Sequence, residues 1–324
     1  MKTHITMQTH AENYLNERRG LGFILRSPGQ SINEFAHYVD TFNCKRPLTI
    51  EVMIDWAKQD KGKSNDPLTW GRRLQKLRPF AHYLQQFEPG TEIPGKSVFG
   101  SINRRLTPHI YTENEIKDLL TAAHHLNPKG GLRSATYETL FGLISSTGLR
   151  VSEAVHLLNN DVDLKHGMLT IRQTKFAKSR YVPLHSTATE ALRKYYLLRN
   201  SYIHTSDEAP FFIGSHGTHL GQQLSLGIVR KTFANLRNQL HWTNRGGHHA
   251  PRIHDLRHTF VVRRILLWHA QNIDIDQMML SLATYVGHSA VTNTYWYLSC
   301  VPELMALAGN KFELFTQAQE NEHV

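Results

Sequence analysis

The alternation of apolar and polar positions divides the chain into three regions. In the first, residues 1–88, the spacing is helical. The stretch "SINEF" sets Ser31 three positions before Glu34, a capping-box signal, and Phe35, Val39 and Phe42 follow at helical intervals. "LTIEVMIDWAKQ" reads as a short second helix. "LTWGRRLQKLRPFAHYLQQF" reads as a longer one, with Trp70, Leu74, Leu77, Ala81 and Leu84 in one stripe. Residues 89–111 change character: Pro89, Gly90, Pro94, Gly95, Gly100 and Pro108 predict an extended linker.

From Thr112 the helical pattern returns. Thr112 and Glu115 form a second capping-box signal, and further helices are expected over 134–146, 186–199 and 225–240. "MLTIRQTKFAKSRYVPL" instead alternates with a period of two, predicting strands near 168–172 and 180–184 joined as a hairpin. Residues 252–316 are expected to be mostly helical. The fold class expected is therefore mainly α with a small β-sheet, in two domains: 1–88, and 112–324 beyond the linker. No internal repeat is visible.

Charge narrows the partners. The 324 residues carry 37 Lys and Arg against 27 Asp and Glu, a formal net charge of +10, and 21 His add positive charge below neutral pH. That balance favours a polyanion. No apolar run is long enough to span a bilayer, and the N-terminus lacks the apolar core of a signal peptide, so nucleic acid is favoured over a membrane. Cys44 and Cys300 form no CxxC pair and read as reduced thiols of a cytosolic protein. "KGKS" at 61–64 lacks the upstream glycine of a phosphate loop. Arg72, Arg73 and Lys76, lying off the apolar stripe, are candidate DNA contacts, although a solvated helix face is the plainer reading. Arg104 and Arg105 in the linker, with Lys96, could follow a phosphate backbone.

Four stretches hold residues suited to chemistry. In "TGLRVSEAVHL", Gly148 can end a helix and Arg150 opens the next, where an arginine could clamp a phosphate or simply face solvent. Lys175 and Lys178 sit in the hairpin connection and Arg180 opens its second strand. They could reach a nucleic acid or belong to an ordinary charged turn. In "HDLRHTF", His254 and Arg257 share a helix face, and His258 lies one turn beyond His254. That spacing also suits a zinc pair, with His248 and His249 nearby, but Asp255 stands where a zinc protease needs glutamate. In "VGHSAVTNTYWYL", Tyr295 and Tyr297 differ by about 200° around a helix, so only one can face a site; core packing is the default for both.

Together, "TGLRVSE", "TKFAKSR", "HDLRHTF" and "VGHSAVTNTYWY" resemble the tyrosine recombinase, or phage integrase, family in order and spacing, over residues 107–305. The resemblance implies catalytic roles for Arg150, Lys175, His254, Arg257 and His288, with Glu153 in support. It selects Tyr297 as nucleophile, because the family's tyrosine follows the histidine by nine positions. Val286 stands where the family has leucine. The implied activity is site-specific DNA recombination through a 3′-phosphotyrosyl link. The arginines would grip the phosphate, His254 would assist proton removal, His288 would hydrogen-bond the phosphate, and Lys175 would protonate the departing 5′-oxygen. The implied partners are double-stranded DNA held in a two-domain clamp, a homo-tetramer on synapsed sites, and sister recombinases or accessory proteins; no cofactor, metal or membrane is expected. A topoisomerase-like activity, or a DNA-binding accessory role without catalysis, remains an alternative on the same residues.

Overall fold

The structure is a computed structural model that describes residues 5–59, 65–100, 107–172, 179–243, 250–301, 304–306 and 309. It forms two compact units, Met1–Arg105 and Leu106–Val324.

Among the described residues of the first unit four helices surround one core: α1 (Met7–Gly20), α2 (Arg26–Thr41), α3 (Ile50–Lys58) and α4 (Pro67–Leu84). Leu15, Phe35, Trp56, Leu74, Leu77 and Phe80 are buried together. The N-terminus of α1 is closed from outside the helix: the Asp40 carboxylate accepts from the amides of Met7 and Gln8, both at 2.9 Å, which satisfies two donors that the helix leaves open. The expected stripe on α4 holds, with Leu74, Leu77, Ala81 and Leu84 buried and Trp70 half-buried. The capping box expected at Ser31 does not form. Helix α2 begins at Arg26, so Ser31 lies in its second turn and is buried. The helix starts ahead of Ser31 because Pro28 falls in its first turn, where a missing N–H has no partner to lose.

The stretch expected as an extended linker is, over its described beginning, part of this unit. The amide of Glu92 donates to the Leu48 carbonyl at 2.9 Å, Arg78 Nη1 donates to the Pro94 carbonyl at 2.8 Å, and Phe99 meets Trp70 edge-on.

The second unit is built on α5 (Glu113–His124), α6 (Leu132–Thr147), the short α7 (Val151–Val155), β1 (Val162–Asp163), β2 (Met168–Ile171), β3 (Arg180–Pro183), α8 (Ser186–Tyr202), α9 (Leu226–Gln239), α10 (Ile253–Ala270), α11 (Ile275–Val286) and α12 (Thr292–Cys300). The capping box at Thr112 and Glu115 is present. The three strands form an antiparallel sheet in the order β1-β2-β3, with Leu169 paired to Val162 on one side and Val182 on the other. Strand β1 has only two residues, too few to show a period, and the sequence reading missed it. Helix α7 is short, with Ala154 and Val155 buried in it and Leu157 buried just beyond its end. One apolar cluster joins α5, α6, the sheet, α8 and α9; a second joins α10, α11 and α12 around Val261, Ile265, Met279 and Val286. Among the described residues no helix is long and apolar enough to cross a membrane.

Candidate active site

Arg150, Glu153, Arg257, His254, His288 and Tyr297 come from four places in the sequence, and the fold links them through a few short contacts. The first is the turn from α6 into α7. Gly148 ends α6 at φ +64°, and a Cβ there would come within 2.5 Å of Phe260. Glycine removes both the strain of a left-handed residue and the clash. Arg150 follows as the N-cap of α7; its Nη1 donates to Glu153 at 2.6 Å and its Nη2 to the Gly287 carbonyl at 2.6 Å.

Gly287 ends α11 at φ +70°, which aims His288 away from the helix and leaves the Gly287 carbonyl to Arg150. His288 is then fixed twice: its amide donates to the Ala283 carbonyl at 2.8 Å, and its Nδ1 shares a 2.7 Å hydrogen bond with the buried hydroxyl of Thr294. Its ring stacks on Tyr297, 14° from parallel with centroids 6.4 Å apart.

Arg257 is 1% exposed. Its Nη1 donates to the Gly148 carbonyl at 2.7 Å, while its buried Nη2 makes no hydrogen bond. Burial, with the neighbouring Arg150, lowers its pKa to about 10. A buried guanidinium carrying an unused donor beside a second guanidinium suits an anion, which would supply both a counter-charge and an acceptor.

Helix α10 also carries His254 and His258, whose rings meet edge to face with centroids 4.8 Å apart. His254 keeps a solvent-exposed face. Burial of the rest of the ring, then the charges of Arg257 and Arg252, lower its pKa to about 4. His258 is half-buried; burial, His254 and the same arginines lower its pKa to about 3. Both rings are therefore neutral at pH 7.

Tyr297 is 2% exposed, and its phenol oxygen lies 2.7 Å from His258 Nδ1. Tyr295 stands on the other side of α12, 38% exposed, and donates to the Asp276 carboxylate at 3.1 Å. The two tyrosines thus face different surroundings, and only Tyr297 joins the histidines.

Other expected site residues fall elsewhere. Arg180 was expected to reach DNA; instead its side chain is 9% exposed and turned inward. It donates to both oxygens of Glu153, at 3.1 and 2.9 Å, and to the Tyr285 carbonyl at 2.8 Å. A strand opening beside a buried carboxylate draws the guanidinium in. Burial pushes the Glu153 carboxyl upward, but the hydrogen bond and charge of Arg180, with Arg150, more than offset it and hold the group below its usual range. In the first unit Arg72 is exposed. Arg73 lies over the Trp56 ring at 4.3 Å, and Lys76 donates to Ser27 Oγ at 3.0 Å, so both have local contacts instead of pointing freely into solvent. Lys175, Lys178, Arg104 and Arg105 lie outside the described residues, as do His248 and His249. Among the described residues no group of three or more His, Cys, Asp or Glu could hold a metal ion.

Two further residues touch this group, His258 at Tyr297 and Thr294 at His288. In the sequence His258 reads only as a zinc partner of His254, although its place directly after Arg257 is a visible signal. Thr294, which orients His288, carries no signal at all, since nothing in the sequence aims one hydroxyl at one imidazole.

The phage integrase family matches residues 110–301. The y4rB protein of Sinorhizobium fredii, described as an integrase/recombinase, is 35% identical over 95% of this chain and 97% of its own length. The tyrosine recombinase XerC of Thermodesulfovibrio yellowstonii is 28% identical over 90% of this chain and 91% of its own. Among solved structures, the Tn1549 transposon integrase in complex with transposon right end DNA superposes with a TM-score of 0.65, at 15% identity, over 93% of this chain and 98% of that one. The XerH recombinase bound to palindromic difH substrate gives a TM-score of 0.63 at 18% identity, over 94% of this chain and 85% of that one. These two show the fold. By its family match and its relatives, the chain belongs to the phage integrase family.

Proposed function

We propose that this chain is a site-specific DNA recombinase that breaks and rejoins duplex DNA through a phosphotyrosyl link at Tyr297. The observation that carries the reading is the placement of the Tyr297 phenol among the histidines beside Arg257, whose buried Nη2 has no acceptor. A DNA phosphodiester entering there supplies the acceptor. Arg150 and Arg257 bind its non-bridging oxygens and stabilise the added charge of the pentacoordinate transition state. His288, oriented by Thr294, donates to the same phosphate, and the exposed face of His254 lies toward the solvent from which DNA arrives. The Tyr297 oxygen attacks phosphorus as its proton passes to a neighbouring histidine, the 5′-oxygen leaves, and Lys175 supplies the proton that oxygen takes. One phosphoester replaces another, so the bond energy is conserved and the reverse attack by a different 5′-hydroxyl rejoins the strands.

The net charge of +10 suits duplex DNA as partner. Relatives described as integrase/recombinase and as a tyrosine recombinase support exchange between sites over simple relaxation. Exchange of both strands calls for four active sites, hence a homo-tetramer on two synapsed sites, alone or with sister recombinases or accessory proteins, in the cytoplasm at the nucleoid. The test is covalent capture on nicked duplex DNA. Wild type is expected to form an adduct that survives denaturation, Tyr295→Phe to retain it and Tyr297→Phe to lose it. Relaxation of supercoiled plasmid without exchange of marked sites would favour the topoisomerase-like alternative. An intact DNA complex with no adduct from wild type would favour the accessory role.

A further inference from the structure

The geometry points to His258, in place of the His254 that the resemblance implies, as the group that takes the phenolic proton of Tyr297 when that oxygen attacks phosphorus, a role that rests on Tyr297 being the nucleophile. The two side chains are already engaged. His258 Nδ1 and the Tyr297 phenol oxygen lie 2.7 Å apart, a distance at which a proton can pass within the hydrogen bond. The imidazole is also held in place on several sides. Trp296 meets it at 6.1 Å, His254 at 4.8 Å and the Tyr297 ring at 5.5 Å between centroids, so the acceptor does not have to find the phenol after DNA binds.

The charges around the ring fit an acceptor that works only with DNA present. Burial first, and then the charges of Arg252 at the N-cap of α10 and Arg257 within it, with the rings of His254 and His288 nearby, disfavour its protonation. With the ring neutral, one nitrogen carries no proton, and Nδ1 accepts from the phenol when Nε2 holds the ring's hydrogen. A bound phosphodiester adds negative charge among these groups, offsets the arginines and raises the affinity of His258 for a proton. In the step itself the bond between Tyr297 Oη and phosphorus forms and the Oη proton moves to His258 Nδ1. The bond from phosphorus to the 5′-oxygen breaks with its electron pair, and that oxygen takes a proton from Lys175. Rejoining runs the same transfers backwards, and His258 returns the proton to the phenol.

Two substitutions separate proton transfer from positioning. His258→Asn places an amide oxygen near the position of Nδ1, so it can still accept the phenol's hydrogen bond, but it cannot carry the proton. His258→Ala removes both functions. Wild type first selects its substrates from a pool of nicked duplexes of randomised sequence by covalent capture, and the captured duplexes then serve for single-turnover cleavage by every variant. Both substitutions are expected to slow adduct formation at pH 7 by about 100-fold, within the usual range for loss of a general base. Their affinity for the captured duplexes should stay near that of wild type. Their rates should climb with pH as hydroxide replaces the missing base, while the wild-type rate stays flat, and added imidazole should restore part of the His258→Ala rate. Wild-type cleavage by His258→Asn would overturn the proposal and leave His258 a positioning contact only. A loss in both variants that neither pH nor imidazole relieves, with folding intact by circular dichroism, would overturn it too. Adducts persisting in Tyr297→Phe would instead overturn the assignment of the nucleophile.

Discussion

Glu153 accepts two hydrogen bonds from Arg180, a residue 27 positions later, while also accepting from Arg150 beside it. One buried carboxylate thereby fixes the first arginine of the site to β3, and Arg180 extends the link to the end of α11 through the Tyr285 carbonyl. Removing one partner of a buried ion pair strands the other. Glu153→Gln should therefore destabilise the chain by about 3 kcal/mol, the low end for a broken buried pair. Urea denaturation followed by circular dichroism measures it. A loss below about 1 kcal/mol, the scale of an exposed pair, would show that the pair is effectively solvated.

Gly287 sits where the same network closes. A Cβ at this position would lie 2.6 Å from Arg180 Nη1, and the backbone is left-handed at φ +70°. Gly287→Ala should cost about 1–3 kcal/mol for the strained backbone alone and displace the carbonyl that Arg150 holds. Adduct formation should fall more than DNA binding does. Equal, small changes in both would mean that the turn does not set the position of Arg150.

How much of this was legible in the sequence follows from distance along the chain. Arg150, His254, Arg257, His288 and Tyr297 each lie in a short stretch that resembles a family motif, and the stripe of α4 and the box at Thr112 are local patterns too. The pairing of Arg180 with Glu153 spans a hairpin and has no local signature, so Arg180 read as a free surface charge. Ser31 misled because a capping box is a pattern of residue types that a helix interior can also hold. The contact of His258 with Tyr297 joins positions 39 apart and exists only once α12 packs against α10.

The histidines give the folded state an acid limit. His254 and His258 have folded pKa values of about 4 and about 3, against 6.5 for free histidine. Between those values and pH 6.5 the unfolded chain binds more protons than the folded one, so stability rises with pH through this window and falls as pH drops. Glu153, depressed in the folded state, adds a loss at lower pH, as it takes up a proton. Denaturation midpoints from pH 7.5 to 4 should decline steadily, and His258→Asn should make the decline shallower. A flat profile in wild type would contradict the burial of these rings.

The arginines of α4 should behave differently from one another. Arg72 is exposed, whereas Arg73 is stacked on Trp56. Arg72→Ala should weaken DNA binding with little sequence dependence and reduce the slope of log affinity against log salt by about 1, the effect of one lost phosphate contact. Arg73→Ala should lower thermal stability through lost packing on the ring. Filter binding across a salt series, beside thermal melts of both variants, separates the two; an unchanged slope for Arg72→Ala would remove it from the DNA contacts.

The most direct measurement is to locate the covalent bond. Wild-type protein captured on nicked duplex DNA is digested with trypsin and nuclease, and the modified peptide is sequenced by mass spectrometry. A single nucleotide-bearing residue is expected, Tyr297, in a peptide where Tyr295 is unmodified. A phosphonucleotide on Tyr295, or on any residue outside this helix, would contradict it.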